Sequence, residues 1–244
     1  MAEQKQPGKK RTIVKAEGAA GTKPTIQKAP ETGNATGLRI GAIALWVVAV
    51  VLEILAVLTL TGNISMSFLP MSSLTQIIVM LVLDLVCVII GSQLWKKSNH
   101  IDPASEKNKV KFWLWNNMGV IACVIAFVPF VILALTNKDA DAKTKKIASI
   151  VAIIALLIGG VASYDFNPIS EEQKAEAMAE LGDTTVYWTP FGKVYHTDVE
   201  CHAMNRTDTI TEGTVEQAIA ANRTRLCKYC ETRDAEEPGN PEAE

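Results

Sequence analysis

Charge and aromatic character are both scarce in this 244-residue chain: 20% of its residues are charged and 6% aromatic, against 48% hydrophobic. The excess apolarity is therefore aliphatic, and mean hydropathy is +0.16. Five cysteines in this length exclude a disulfide-dense secreted scaffold. No Gly-rich phosphate loop, no G-x-S-x-G and no H-E-x-x-H occurs, so the common signatures of phosphoryl transfer, ester hydrolysis and zinc proteolysis are missing. The sequence predicts no enzyme. Polar residues are also nearly missing from four blocks between residues 40 and 163, and this excludes a single soluble globule.

The blocks are 40–60, 74–94, 112–135 and 147–163. A helix needs about 20 apolar residues, with a range of roughly 17–25, to cross the hydrocarbon core of a bilayer. All four qualify, and IVAIIALLIGGVA at 150–162 lacks the polar face of a buried globular helix. The first block starts too late for a cleaved signal peptide and reads as a signal anchor. Trp113 and Trp115 suit an interfacial aromatic belt, Pro129 should kink the third span, and Gly159-Gly160 would admit a neighbouring backbone.

Positive charge gives the orientation. Residues 1–39 carry eight Lys/Arg and the loop 61–73 none, whereas the loop 95–111 carries five. The tail and second loop are thus expected in the cytoplasm, with both termini there and the chain in the plasma membrane. The loop 137–146, with Lys138, Lys143, Lys145 and Lys146, runs against this pattern.

The ends differ in character. Residues 1–38 are basic and poor in large apolar side chains, so they read as a disordered tail that anionic headgroups would attract. From Tyr164 onward there are 17 acidic residues against 7 basic ones. Capping boxes at Ser170–Gln173 and Thr214–Gln217 open two helices, the first a short exposed linker within 165–183. The stretch TTVYWTPFGKVYHTD reads as a β-hairpin turning at Pro190-Phe191-Gly192-Lys193. The expected organisation is an all-α membrane region of four transmembrane helices (39–164), then a small α+β, zinc-binding ββα-type module (184–233) and a disordered acidic end (234–244). A module of about 50 residues is too small to rest on its core alone and needs a staple.

His196 and Cys201 form H-x4-C after the hairpin, and Cys227 and Cys230 form C-x2-C after the second helix. Zn²⁺ takes thiolate and imidazole in a tetrahedral shell, and C-x2-C aims two sulfurs at one ion. Four protein ligands leave no open position, so the expected site is structural. His202, beside Cys201, would point the other way. A thioredoxin-like redox pair at Cys227 and Cys230 is the competing reading, disfavoured because the pair follows a helix rather than opening one; unrelated free thiols are another. Cys87 and Cys123, inside apolar spans, read as small buried hydrophobes.

VYWTPFGKVYHTDVECHAMN followed by EGTVEQAIAANRTRLCKYC resembles the zinc module of the Ada family of alkylation-repair regulators and related H-x4-C…C-x2-C modules. The resemblance covers about 50 residues and implies a hairpin, a ligand pair, a helix and a closing Cys pair around zinc. His196 stands where that family has its methyl-accepting thiolate, so the resemblance carries a metal fold rather than methyl transfer. The acidic charge would repel nucleic acid. As a whole the chain resembles a bacterial four-span membrane protein.

Two carboxylates interrupt the spans: Glu53 in the first and Asp84 in the second. Such groups are costly in a bilayer and usually face a helix interface. Counted from the outer ends, their depths differ by about 4.5 Å, so they could face one another and share a proton. The alternative function is therefore a small proton or cation transporter built on them. Tyr187, Trp188 and Tyr195 on the hairpin would supply packing or, less favoured, a surface for a protein partner. His100, in a Lys-rich loop, is expected to be solvated. The expected partners are the bilayer and a protein, with a homo-oligomer left open.

Overall fold

The computed structural model describes residues 25–64, 70–138, 140–182, 184–205 and 207–236. Its frame is four helices: α1 (Ala35–Leu60), α2 (Ser73–Ile101), α3 (Lys109–Thr136) and α4 (Ala142–Ser163). Each is long and apolar enough to cross a membrane. Each also starts on a side chain that satisfies free first-turn amides, from Asn34, Ser72, Asn108 and Asp141.

Between lipid-facing helices there is little hydrophobic driving force, because lipid tails are as apolar as leucine, so close approach decides the packing. Ala42, Ala49 and Ala56, seven residues apart on α1, are all buried, as are Ala148, Ala152 and Ala155 on α4. Phe127, Phe130, Ile77 and Leu81 fill the centre. Three glycines mark the tightest contacts. A Cβ on Gly91 would lie 2.7 Å from Trp46 Nε1, one on Gly119 2.7 Å from Ser92 Oγ and 3.2 Å from the Ser163 carbonyl, and one on Gly159 2.8 Å from Cys123 Sγ. Gly160 meets nothing, so only the first of the Gly159-Gly160 pair serves packing. Outward faces carry exposed Val47, Ile54, Leu135, Leu157 and Val161, as a lipid solvent requires.

Helix α2 overruns the apolar block ending at Leu94 because its last turns find partners. The Trp95 indole and the Asn99 amide both donate to the Trp115 carbonyl (2.8 and 2.9 Å). Trp95 stacks between Trp46 and Trp115, with centroids 5.4 and 5.6 Å apart. Trp115 is thereby drawn into a cluster, while Trp113 is exposed as a belt residue would be.

The C-terminal lobe consists of α5 (Glu171–Leu181), β2 (Val186–Trp188), β3 (Val194–Tyr195), β4 (Thr209–Gly213), α6 (Val215–Ala220), β5 (Arg225–Leu226) and α7 (Lys228–Glu236). Both expected capping boxes are formed, at Ser170 and Thr214. The expected hairpin is reduced to one bridge, in which Tyr187 and His196 exchange backbone hydrogen bonds of 2.8 and 2.7 Å. Its arms then part: β2 pairs antiparallel with β4, and β3 pairs parallel with β5.

Four expectations require correction. Thr25–Lys28, placed in the disordered tail, is a strand (β1) pairing parallel with β4, so the sheet runs β1-β4-β2. The backbone at Ala29 continues the ladder by donating to the Glu212 carbonyl at 2.8 Å. Gly213 has no room for a side chain, since a Cβ there would lie 2.8 Å from Ala29 Cβ and 2.9 Å from Trp188 Cη2. The rest of the tail, 1–24, and residues 237–244 lie outside the described residues. Second, α7 runs past residue 233 into the segment expected to be disordered. Third, α5 is short and has no buried residue, as expected, but it does more than link: Ala177 and Leu181 pack on the lobe core, and Lys174 Nζ donates to the Ile101 carbonyl at 2.6 Å. Fourth, His100 is buried rather than solvated, with Nε2 3.0 Å from Asp165 Oδ2.

Asp165 is equally buried. Burial works to raise its carboxyl, but the His100 hydrogen bond and charge, the Asn167 amide and Lys96 outweigh it and hold it below the ordinary aspartate value. With the Glu171 amide on the Ala104 carbonyl at 3.2 Å, this pair fastens the lobe to one end of the bundle, where Arg39–Asp102 at 2.7 Å joins α1 to the end of α2.

Candidate metal centre

The lobe has two apolar clusters. Ile169, Val186, Trp188, Tyr195, Val215, Ala218 and Ile219 form one, against α5 and α6. The other is built around Cys201, Met204, Ile210, Cys227 and Cys230. Trp188 and Tyr195 are therefore core residues, and Tyr187 packs partly buried against the second cluster. These three aromatics pack and do not make an exposed partner surface.

Strand pairing builds the site. β3 beside β5 puts Tyr195 against Leu226, and the Cys227 amide donates to the Tyr195 carbonyl at 2.9 Å. The residues following each strand, His196 and Cys227, thus emerge side by side. Cys230 sits in the first turn of α7, and Cys201 opens a short 3-10 turn, His202–Met204. One donor atom from each of His196, Cys201, Cys227 and Cys230 lies within 4.8 Å of all the others, and all four residues are buried. His196 Nδ1 is 3.8 Å from Cys230 Sγ. Bonds of about 2.3 Å to sulfur and about 2.0 Å to nitrogen at tetrahedral angles put donors roughly 3.5–3.8 Å apart, so this donor set fits zinc with small closure. His202 is exposed, its ring edge-on to Tyr229 at 4.1 Å, and takes no part.

Cys227 and Cys230 follow a strand and open a helix, so the placement used above against a redox pair does not hold. What distinguishes them is company. A third thiol and an imidazole converge on the same point, and all the cysteines are free thiols. Burial pushes the Cys201 thiol up to about 11, with the Ala203 amide opposing and the neighbouring thiols adding. Burial also holds His196 below the ordinary imidazole value, against Asp198. A neutral imidazole is a ready ligand, whereas the thiols must shed protons to bind, so affinity rises with pH.

An outer layer braces the loop between His196 and Cys201. Arg233 on α7 reaches Asp198 at 2.6 Å and Thr197 Oγ1 at 3.1 Å, and Thr197 donates to Asp234 at 2.7 Å. The H-x4-C loop is tied to the helix carrying Cys230, an arrangement that the sequence spacing alone did not disclose.

The intramembrane carboxylates lie in the bundle core, both buried. Glu53 Oε1 accepts from the Phe130 amide at 3.1 Å, next to the proline that interrupts the ladder of α3. Glu53 therefore has a structural task. Asp84 is 0% exposed and neither oxygen has a hydrogen-bond partner among the described residues.

No protein-family model, curated protein or solved structure matches the chain. The Ada-type resemblance consequently rests on the order and spacing of the motif.

Proposed function

We propose that this chain anchors a small zinc module at a membrane surface, where the module serves as an interaction, scaffolding or sensing element without chemistry of its own. The carrying observation is the convergence of four buried donors, three sulfurs and a nitrogen, within 4.8 Å. Four protein ligands saturate a tetrahedral ion and leave no position for water or substrate. The ion would supply a cross-link between the H-x4-C loop and the start of α7. The order of bridged hairpin, ligand pair, helix and Cys pair is what an Ada-type module would have, and His196 in the first position favours a purely structural use. The Lys/Arg distribution supports a cytoplasmic face of the plasma membrane, and the acidic lobe points to a protein rather than a nucleic-acid partner.

Full-length protein purified in detergent should carry one zinc per chain, and Cys227→Ser or Cys230→Ser should abolish it. Wild type that binds no zinc and is unaltered by chelator refutes the proposal.

Asp84 favours a second reading. A fully buried carboxyl in hydrocarbon, with no hydrogen-bond partner among the described residues, is costly unless it holds a proton or a cation. Flux in proteoliposomes that Asp84→Asn abolishes, with zinc content intact, would make the bundle a proton or cation pathway.

A further inference from the structure

The lobe and the bundle enclose a cleft of about 530 Å³ whose walls include Gln93, Lys96 and Lys97 of α2, Tyr164 and Phe166 beyond α4, and Lys193 of the β2–β3 turn. None of the four metal-site residues lines it. Its depth in the bilayer follows from the sequence: Lys96 and Lys97 come just after the apolar block ending at Leu94, and Tyr164 just after the one ending at Ser163. At 1.5 Å per residue the cleft lies at the headgroup level, within about 5 Å of the hydrocarbon. Tyr164 and Phe166, both exposed and in edge contact at 4.9 Å, suit that level.

The charges of the cleft are unequal. Its one carboxylate, Asp165, is engaged with His100. Lys96 Nζ caps the end of α4 by donating to the Ala162 carbonyl at 2.8 Å. Lys97 and Lys193 are exposed, and neither has an ion-pair partner among the described residues. Two unneutralised ammonium groups, one from the bundle and one from the lobe, thus flank one cleft.

The turn that carries Lys193 is held in place. Arg223 donates to the Thr189 carbonyl at 2.8 Å and also to those of Pro190 and Ala221. This fixes Phe191 at the tip, 98% exposed. A phenylalanine so placed is unfavourable in water and favourable at the boundary of headgroups and acyl chains.

We propose that this cleft binds the phosphate headgroup of an anionic phospholipid between Lys97 and Lys193, with Phe191 set into the acyl boundary beside it. The lobe would then be held to the bilayer by a lipid as well as by its covalent link.

The test uses full-length protein in detergent, delipidated and titrated with phosphatidylglycerol under native mass spectrometry. The expected result is one tightly retained phosphatidylglycerol per chain, with affinity about 30-fold weaker in Lys97→Ala/Lys193→Ala and about tenfold weaker in Phe191→Ser. Lys143→Ala/Lys146→Ala, on the α3–α4 side of the bundle, should leave it unchanged. Zinc content is measured on every sample, so collapse of the metal module is told apart from loss of the lipid site. Equal retention of phosphatidylcholine, equal loss in the Lys143/Lys146 variant, or undiminished binding in Lys97→Ala/Lys193→Ala overturns the proposal. Saturation by glycerol phosphate at the same concentration would make the ligand a soluble phosphate and overturn it also.

Discussion

The bundle and the lobe meet the same problem, that of holding short elements together, with opposite means. In the bundle, small side chains at Ala42, Ala49, Ala56, Gly91, Gly119 and Gly159 let helices approach until van der Waals contact holds them. The solvent on the outside is as apolar as the inside. The lobe sits in water, and its strands are of two to five residues. Its apolar clusters are split in two by the sheet, and one of them is made largely of the candidate metal ligands. Geometry holds the first region, and the second has the small, divided core that a cross-link would serve.

The sharpest way to break this contrast is to remove a ligand. Cys230→Ser should cost most of the apparent binding energy of a structural zinc, which is about 10–16 kcal/mol at neutral pH in small zinc folds. The lobe should unfold while the long helices persist, seen as loss of near-ultraviolet dichroism from Trp188 and Tyr195 with far-ultraviolet helicity largely kept. Chelation of wild type should do the same. Loss of both signals together would mean that the two regions fold as one.

The reciprocal experiment enlarges a glycine. Gly119→Val places atoms where Ser92 and the Ser163 carbonyl already are, and overpacking of this kind costs about 1–3 kcal/mol. Thermal unfolding in detergent should shift down while zinc stoichiometry stays at wild type. A silent substitution would mean that the helices are looser than their contacts imply.

A third substitution tests the joint between the regions. Asp165→Asn weakens the buried bond to His100 and should cost about 1.5 kcal/mol. Because the folded carboxyl lies below its ordinary value, its contribution is fully present above about pH 4 and is lost as pH falls through the lowered folded value. Wild type and variant should therefore differ by a constant amount at neutral pH and converge in acid. A difference that persists in acid would point to packing instead. Smallest is Thr214→Ala, which removes one capping bond of α6 and should cost about 1 kcal/mol, with zinc retained.

What was legible in the sequence follows the same division. A span announces itself by about 20 consecutive apolar residues, so all four helices could be read locally. The four converging donors could be read from two spacings, because C-x2-C is itself a geometric statement. The rest depended on distant partners. TIQK at Thr25–Lys28 becomes a strand only because β4 offers an edge. TITEG at Thr209–Gly213 alternates as a strand should, but its shortness hid it beside the capping box that follows. His100 reads as solvated until Asp165 is brought to it across 65 residues of chain. The polar run of α7 is helical because Cys230 and Arg233 tie it to the site.

The pairing of β1 with β4 ties one of the earliest stretches of the chain to one made late. At roughly 5–20 residues per second, Lys28 is made roughly 10–40 s before Thr209 exists. Through that interval Thr25–Lys28 has no partner, and all four hydrophobic segments must enter the bilayer before one appears. A chain that inserted an odd number of them would strand the two halves of this ladder across the membrane from each other. Closure of the sheet therefore requires that an even number of them was inserted.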